Sequence, residues 1–176
     1  MARYTSIIMF WLMVTVGMIL LASAAYAGIR GAPWVPTRRA DVDRLIGLCH
    51  LKPGQTFYEL GCGDARVCCE VAKRTGARAV GVELSLLLYL AARLRVWLGG
   101  HQRVRIFFGD ARKADLSQAQ VIYLFLMPKV NALLAPTLAH EVEGGAMVVS
   151  YVWPIPGLNP KMTDGFAGRS RFYVYK

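Results

Sequence analysis

The sequence contains little of what a metal centre or a disulfide framework requires. Its three histidines are scattered and its four cysteines include no Cys-x-x-Cys pair. Neither a metal cluster nor a histidine-based catalytic triad is therefore indicated. A disulfide-stapled fold is not expected either, and free thiols fit a reducing compartment. The 176 residues contain no internal repeat, so we expect one domain with a short appendage.

Charge is absent from the N-terminal stretch, where no charged residue occurs between Tyr4 and Ile29. About 20 apolar residues in a helix span the hydrocarbon core of a bilayer, so residues 1–30 are predicted to form a transmembrane anchor. The alternative is a cleaved signal peptide, because Ala25-Tyr26-Ala27 resembles a cleavage site. The anchor is favoured, with the rest of the chain in the cytoplasm, because basic residues after the segment outnumber Arg3 before it.

The chain as a whole is strongly basic, with a formal net charge of +10. Such a charge fits a nucleic acid, an anionic membrane surface or an acidic partner. The hydrophobic fraction of 55% favours the membrane. No basic and aromatic interleaving of the kind that reads bases is present, so nucleic acid is not expected as a partner. Four arginines (Arg93, Arg95, Arg103, Arg105) form a basic cluster, either a solvated face or a contact for anionic lipid.

Residues 31–36 contain two prolines and are predicted to be a linker, followed by the main domain over residues 37–176. Apolar runs alternate with helical patterns along this domain, which is typical of an α/β, Rossmann-like, doubly wound and mostly parallel sheet. Thr37 is expected to cap a first helix running to about His50. The predicted strands are 56–60, 78–84, 104–108, 120–127, 146–152 and an antiparallel edge strand 171–175. The other predicted helices are 65–75, 86–98 and 129–141.

The first strand of the domain runs into a glycine pair, Gly61 and Gly63, and then into a helical pattern. This is how a parallel strand leads into a loop that binds a phosphate or a nucleoside, because glycine lets the backbone approach the ligand. Glu83, at the end of the next strand, lies 83 − 63 = 20 residues beyond Gly63. At about this spacing an acidic residue binds the ribose hydroxyls of an adenine nucleoside. A dinucleotide is disfavoured because Arg66 replaces the third glycine of G-x-G-x-x-G.

The pattern Glu59, Gly61, Gly63, Ala65 is similar to the first motif of the seven-strand S-adenosylmethionine-dependent methyltransferases. That resemblance implies S-adenosylmethionine as cofactor, bound by Glu59, Gly61, Cys62, Gly63, Glu83 and Asp110. In that family the residue at Glu59 helps to hold the methionine end, and the residue at Glu83 binds the ribose. Asp110, after the third strand, is the counterpart of an acidic residue that accepts a hydrogen bond from the adenine amino group.

Together with the membrane segment and Val35-Pro36-Thr37, these motifs resemble one branch of that class. It comprises small membrane-anchored lysine methyltransferases, including the mitochondrial enzymes that act on the ATP synthase c-subunit and on the adenine nucleotide translocase, and their prokaryotic relatives. The resemblance covers nearly the whole chain, with its compact C-terminus, and implies methylation of a lysine in a membrane protein. Two alternatives remain: methylation of an ethanolamine-type lipid headgroup, and a weakly active, membrane-tethered nucleoside-binding module.

The family places residues that face the transferred methyl group at the tip of the fourth strand. Here that tip is apolar up to Pro128, which argues against methylation of nucleic-acid bases. The expected acceptor mouth consists of Tyr123, Pro128, Asn131 and Trp153, with Phe125 beside them. Aromatic side chains would lower the pKa of a lysine acceptor by excluding water and would favour a methylated ammonium.

Overall fold

The structure is a computed structural model, which describes residues 2–30, 33–165 and 170–176, apart from the side chains of residues 2, 3 and 30. Its centre is a sheet of seven strands in the order β3-β2-β1-β4-β5-β7-β6. The pairs β1–β2, β2–β3, β1–β4 and β4–β5 are parallel, and β7 is antiparallel to both β5 and β6. The strands are β1 (Thr56–Leu60), β2 (Arg78–Glu83), β3 (Val104–Phe108), β4 (Val121–Leu124), β5 (Met147–Tyr151), β6 (Met162–Asp164) and β7 (Phe172–Tyr175).

Helices cover both faces of this sheet, as the prediction of a doubly wound, mostly parallel α/β fold requires. One core cluster joins the sheet to the helices α2 to α4, and a second cluster on the other face joins it to α5. The residues of β4 are all buried, as expected for a central strand covered on both faces. The helices are α1 (Ala2–Arg30), α2 (Arg39–Cys49), α3 (Arg66–Thr75), α4 (Leu86–Leu98) and α5 (Pro128–Glu143).

The helix α1 is long and apolar enough, by length and composition, to cross a membrane between Tyr4 and Ile29. Its apolar side chains are exposed along most of its length. One face of its C-terminal half is an exception, because Leu20, Ser23 and Ala24 are half-buried and Ala27 is buried. This face packs against α4, and the Leu86 amide of α4 donates a hydrogen bond of 2.8 Å to the Ser23 hydroxyl.

The predicted element boundaries hold closely for α4, whose range and Ser85 cap are confirmed: the Ser85 hydroxyl accepts a hydrogen bond from the Leu88 amide. The prediction that Thr37 caps α2 is wrong. The N-cap of α2 is Arg38, without a side-chain cap, and the Thr37 hydroxyl is instead hydrogen-bonded to the Tyr123 hydroxyl at 3.1 Å. A long-range partner in the core therefore replaces the local one.

The C-terminal part of the sheet also differs from the prediction. The last strand, β7, is antiparallel as expected, but it lies inside the sheet because the short strand β6 forms the edge beyond it. The strand β6 comes from the loop after Gly157, where the sequence shows turn residues and no alternation. The helix α5 is continuous through Pro136 and is longer at its C-terminal end than the predicted helix 129–141.

Candidate cofactor cleft

The glycine loop between β1 and α3 is held against the end of β2 by its own backbone. The amides of Gly61 and Cys62 both donate to the Val82 carbonyl, at 2.9 and 3.1 Å. Gly61 and Gly63 have φ values of 77° and 55°, which favour glycine. The loop thus turns at the carboxyl end of the sheet, where ligands of open α/β folds bind.

Glu83 connects the end of β2 to this loop. One of its carboxylate oxygens accepts the Gly63 amide at 2.7 Å, and the other accepts the Ser85 amide at 2.8 Å. Burial raises the pKa of Glu83, although these two amides oppose the shift by stabilising the charged form. Each carboxylate oxygen has a further lone pair that can accept a hydroxyl of a ligand. Glu83 and the glycine loop are therefore joined directly in the structure.

Glu59 lies beneath the same loop and is directed at the first turn of α3. Its carboxyl accepts hydrogen bonds from the Cys68 amide at 3.1 Å and from the Cys68 thiol at 3.0 Å. Complete burial raises the pKa of Glu59 to about 8, against the effect of these hydrogen bonds. Burial therefore favours the protonated form of Glu59, and its side chain forms part of the cleft floor together with Cys62.

A second acidic residue, Asp64, joins the loop to two arginines that the sequence analysis did not place there. The Arg66 and Arg95 side chains donate to its carboxylate at 2.8 and 2.7 Å, and Arg95 also donates to the Asp64 carbonyl at 2.8 Å. Burial would raise the pKa of Asp64, but these two cations outweigh it and lower the pKa. Arg95 of the predicted basic cluster is thus occupied in holding the loop, and no spacing in the sequence indicates this.

Asp110 follows β3 and reaches the edge of the cleft, because the Gly109 amide donates to the Glu83 carbonyl at 2.9 Å. Its carboxylate accepts the Arg112 amide at 3.0 Å and pairs with the Arg112 guanidinium. Hydrogen bonds from Arg112 lower the pKa of Asp110, so it is ionised at neutral pH. A carboxylate in this position can accept a hydrogen bond from an amino group of a ligand.

These residues surround one cleft of about 400 Å³, within the range of small-molecule sites. Its floor comprises the glycine loop, Glu59 and Glu83. The opposite wall is made by the last turns of α1, through Ala24, Ala27 and Gly28, and by residues 33–37. The sequence analysis assigned that wall to an anchor and a linker, and gave no signal that either of them contacts the site.

Two side chains pack directly against the glycines of the loop, so a larger residue there would displace them. A Cβ atom at Gly61 would lie 2.7 Å from Leu126, and a Cβ atom at Gly63 would lie 2.7 Å from the Trp34 indole nitrogen. The Glu83 carboxylate can accept the hydroxyls of a ribose, and the Asp110 carboxylate can accept from an amino-bearing base. These features match the requirements of an adenine nucleoside such as S-adenosylmethionine.

The four residues expected at the acceptor mouth do not line the described part of this cleft. Tyr123 is fully buried and stacks on Phe57. Its hydroxyl is hydrogen-bonded to that of Thr37, and Thr37 is the residue of this pair that lines the cleft. Asn131 is buried and donates to the Ser150 hydroxyl and the Trp153 carbonyl, at 3.2 and 3.3 Å. The exposed residues among the four are Pro128 and Trp153. The apolar side chains that line the cleft include instead Trp34, Val35, Phe125, Leu126 and Val130.

Comparison with known proteins identifies a common family. Residues 59–162 match the family described as the ANTKMT methyltransferase domain. The chain is 35% identical over 131 residues to a protein-lysine N-methyltransferase of Saccharolobus islandicus, covering 73% of this chain and 81% of that protein. It is 30% identical over 134 residues to the lysine N-methyltransferase of the ATP synthase c-subunit from Rattus norvegicus. That match covers 76% of this chain and 61% of the rat protein, so the chain spans about three fifths of that relative.

Among solved structures, the chain is similar to an RNA methyltransferase from Salinibacter ruber in complex with S-adenosyl-L-homocysteine. The TM-score is 0.74 and the identity 34%, over 80% of this chain and 92% of that chain. These proteins are all named as methyltransferases, and their names differ in the acceptor.

Proposed function

Because the chain belongs to the family of the ANTKMT methyltransferase domain and its cofactor is S-adenosylmethionine, we propose that it methylates a lysine of a membrane protein while α1 anchors it in the bilayer. Two relatives with 30% identity or more are named lysine N-methyltransferases, and one of them acts on a subunit of the ATP synthase. The protein acceptor is carried over from these names. The membrane location of the acceptor rests on a feature of this chain.

That feature is the shared wall of the cleft. Ala24, Ala27 and Gly28 at the end of α1 line the same cleft as the glycine loop and Glu83. If α1 spans the bilayer, the cleft opens where α1 leaves the membrane, and an acceptor at the membrane surface reaches it directly. Basic residues after α1 favour the cytoplasmic side for the catalytic domain.

The cofactor, when bound, supplies an electrophilic methyl group. In the proposed site Gly61, Cys62 and Gly63 pass beneath it, Glu83 accepts its ribose hydroxyls and Asp110 accepts from its base. Glu59 supports the loop from below and contributes to the methionine end. Direct displacement requires little covalent help, so the protein acts mainly by holding the acceptor nitrogen in line with the methyl carbon.

A lysine acceptor must lose its proton before it can attack. Its unperturbed pKa of roughly 10.4 leaves it charged at neutral pH, and an apolar environment lowers that pKa. The described apolar wall, with Trp34, Val35 and Phe125 above the loop, provides such an environment. The exposed Pro128 and Trp153 remain the proposed outer part of the mouth, and the buried Tyr123 and Asn131 are proposed to support it from behind this wall.

The test is incubation of the full-length chain, purified in detergent, with methyl-labelled S-adenosylmethionine and membranes of its own cells. We expect label in the lysine of a small membrane protein.

Glu83→Gln should weaken binding of S-adenosylhomocysteine about 10- to 100-fold, because one charge-assisted hydrogen bond is worth roughly 1.5–3 kcal/mol. The matched control is Asp115→Asn, an exposed carboxylate whose partner is the Ser117 amide, and it should bind as the parent does.

Other outcomes would contradict the proposal in distinct ways. Label confined to lipid would favour methylation of an ethanolamine-type headgroup. Label in added RNA, and none in protein, would show that the acceptor is RNA, as the name of the similar Salinibacter ruber protein states. Binding of S-adenosylhomocysteine without transfer to any fraction would leave a membrane-tethered nucleoside-binding module.

A further inference from the structure

The outward face of α4 is apolar, although helices of soluble domains normally bury such a face. Leu87, Leu90, Leu94 and Trp97 follow one another at spacings of three and four. Leu98 lies four residues after Leu94, so all five are on one side of the helix. Within the described residues they are 41% to 76% exposed, and Ala92 is the α4 residue that is buried in the core. Phe107 of the neighbouring edge strand β3 is also exposed and lines the same shallow groove as Leu94 and Trp97. We call these six residues the α4 apolar face.

The position of α4 relative to α1 indicates what covers this face. The 20 residues from Tyr4 to Ser23 measure about 30 Å as a helix, which is the thickness of the hydrocarbon core. The first amide of α4, at Leu86, binds the Ser23 hydroxyl, and the half-buried Leu20 faces the same way. If the span begins near Tyr4, α4 therefore packs on the part of α1 that lies at the boundary of the hydrocarbon core.

The charged residues next to the α4 apolar face also fit a position at the membrane surface. Arg93, Arg103 and Arg105 are exposed, and among the ion pairs of the described residues none includes them. Arg93 instead donates to the Tyr89 hydroxyl at 3.2 Å. Leucines beside unpaired arginines and an exposed tryptophan are the composition of a helix that lies in the membrane interface.

We propose that α4 and the adjoining edge of β3 lie in the interfacial layer of an anionic bilayer, with the α4 apolar face towards the acyl chains and Arg93, Arg103 and Arg105 on lipid phosphates. The inference rests on the proposed span of α1 and extends it, because the catalytic domain then has a fixed orientation on the membrane. The cleft, which Leu87 and Leu88 also line, is held at the level of the headgroups.

Spin labels on single introduced cysteines in the full chain test this orientation. The four native cysteines are buried, and burial raises the pKa of Cys69, for example, to about 11, so labelling near neutral pH selects the introduced site. The test site is Leu94→Cys on α4. The matched control is Leu133→Cys on α5, because Leu133 is 54% exposed, as against 53% for Leu94, and α5 packs on the opposite face of the sheet. A third label at Met13→Cys reports on the span itself.

The chain is reconstituted in vesicles containing anionic lipid, and collisions of each label with oxygen and with a water-soluble nickel chelate are compared. We expect labels 13 and 94 to collide more with oxygen, and label 133 to collide more with the chelate. Replacing the anionic lipid by a neutral one, or Arg93 and Arg105 by glutamine, should shift label 94 towards the chelate.

Each contrary result has one meaning. If label 13 is in lipid while label 94 behaves like label 133, the docking of α4 is wrong and the anchor stands. If label 13 is in water, the anchor itself is wrong and the docking falls with it. Spin–spin broadening at label 94 that disappears on dilution with unlabelled chain would identify a second copy as the partner of the α4 apolar face, and would overturn the proposal. A depth at label 94 that is unchanged in neutral lipid would overturn the role of the arginines.

Discussion

Individual carboxyl groups behave differently around the cleft because their surroundings differ. Glu59 is completely buried with one neutral partner residue, whereas Asp64 and Asp110 are each paired with arginine. The sequence placed acidic residues at three strand ends, and that was enough to locate the cleft. It could not separate a protonated carboxyl from an ionised one, because that depends on Arg95 and Arg112 and on burial in the folded chain.

Glu59 gives a prediction for stability against pH. Its pKa is raised to about 8 in the folded chain, so between about pH 4.5 and 8 the unfolded chain releases a proton that the folded chain retains. The free energy of unfolding should therefore fall as pH rises through this window, by at most about 1.4 kcal/mol per pH unit from this group. Glu59→Gln, which keeps an oxygen for the Cys68 amide, should remove that part of the slope in denaturant titrations in detergent.

The control for this series is Glu70→Gln, an exposed glutamate on α3, which should keep the slope of the parent. Glu83 contributes a slope of the same sign because its pKa is also raised, so the Glu59 variant should flatten the profile in part. An unchanged slope in Glu59→Gln between pH 5 and 8 would mean that Glu59 is ionised in the folded chain.

Most secondary elements could be predicted because their signals are local. Glycines end α3 and α4, Ser85 caps α4, and apolar runs mark β1 to β5. The errors occur where a distant residue decides. Thr37 is engaged by Tyr123, 86 residues away, and β6 forms through pairing with β7 although its own sequence is turn-like. The predicted strand 120–127 is also too long, because β4 ends at Leu124. Phe125 and Leu126, which follow it, are apolar because they line the wall of the cleft.

The helix α4 holds the glycine loop through Arg95, which leads to a prediction for cofactor affinity. Arg95→Met should weaken binding of S-adenosylhomocysteine by about fivefold, since a partly exposed ion pair is worth up to about 1 kcal/mol. Arg93→Met is the matched control, because Arg93 lies on the same helix and binds Tyr89 rather than the loop. Equal affinities of the two variants by calorimetry would show that the Asp64 pair does not order the loop.

The end of α1 can be tested as a wall of the cleft. Ala27 is buried and lines it, whereas Ala25, two residues earlier, is exposed. Ala27→Leu should reduce the affinity for S-adenosylhomocysteine, because three extra carbons enter a well-packed wall and force neighbours to move. Ala25→Leu places the same carbons outside and should have no effect. Loss of affinity in both variants would indicate a general disturbance of α1.

Across the whole molecule, the cleft gathers residues from Ala24 to Val130. The family and the cofactor could be recognised from two short motifs, since these lie on neighbouring strands of a common fold. The packing of α1 against α4 could not be predicted from the sequence, because an apolar segment of this length indicates a membrane anchor whichever element it packs against. The sequence likewise grouped Arg95 with three other arginines, and the fold separates it from them.

A ligand bound by so many separate parts of the chain should stabilise the molecule as a whole. At a concentration 100 times its Kd, S-adenosylhomocysteine should raise the free energy of unfolding by about 2.7 kcal/mol. Thermal unfolding in detergent, followed by a probe in α5 as well as by the loss of total helix signal, measures this. A rise in midpoint for only one of the two signals would show that the ligand stabilises the glycine loop region without the rest of the sheet.

The hydrogen bond between Ser23 and the start of α4 also concerns how the protein is made. The helix α1 leaves the ribosome before α4, which follows more than fifty residues later, so the cleft lacks one wall until the two have met. If α1 must first be inserted in a bilayer, a copy that fails to insert never completes its cleft. Newly made chains outside the membrane would then bind no cofactor and would not methylate lysines of other proteins.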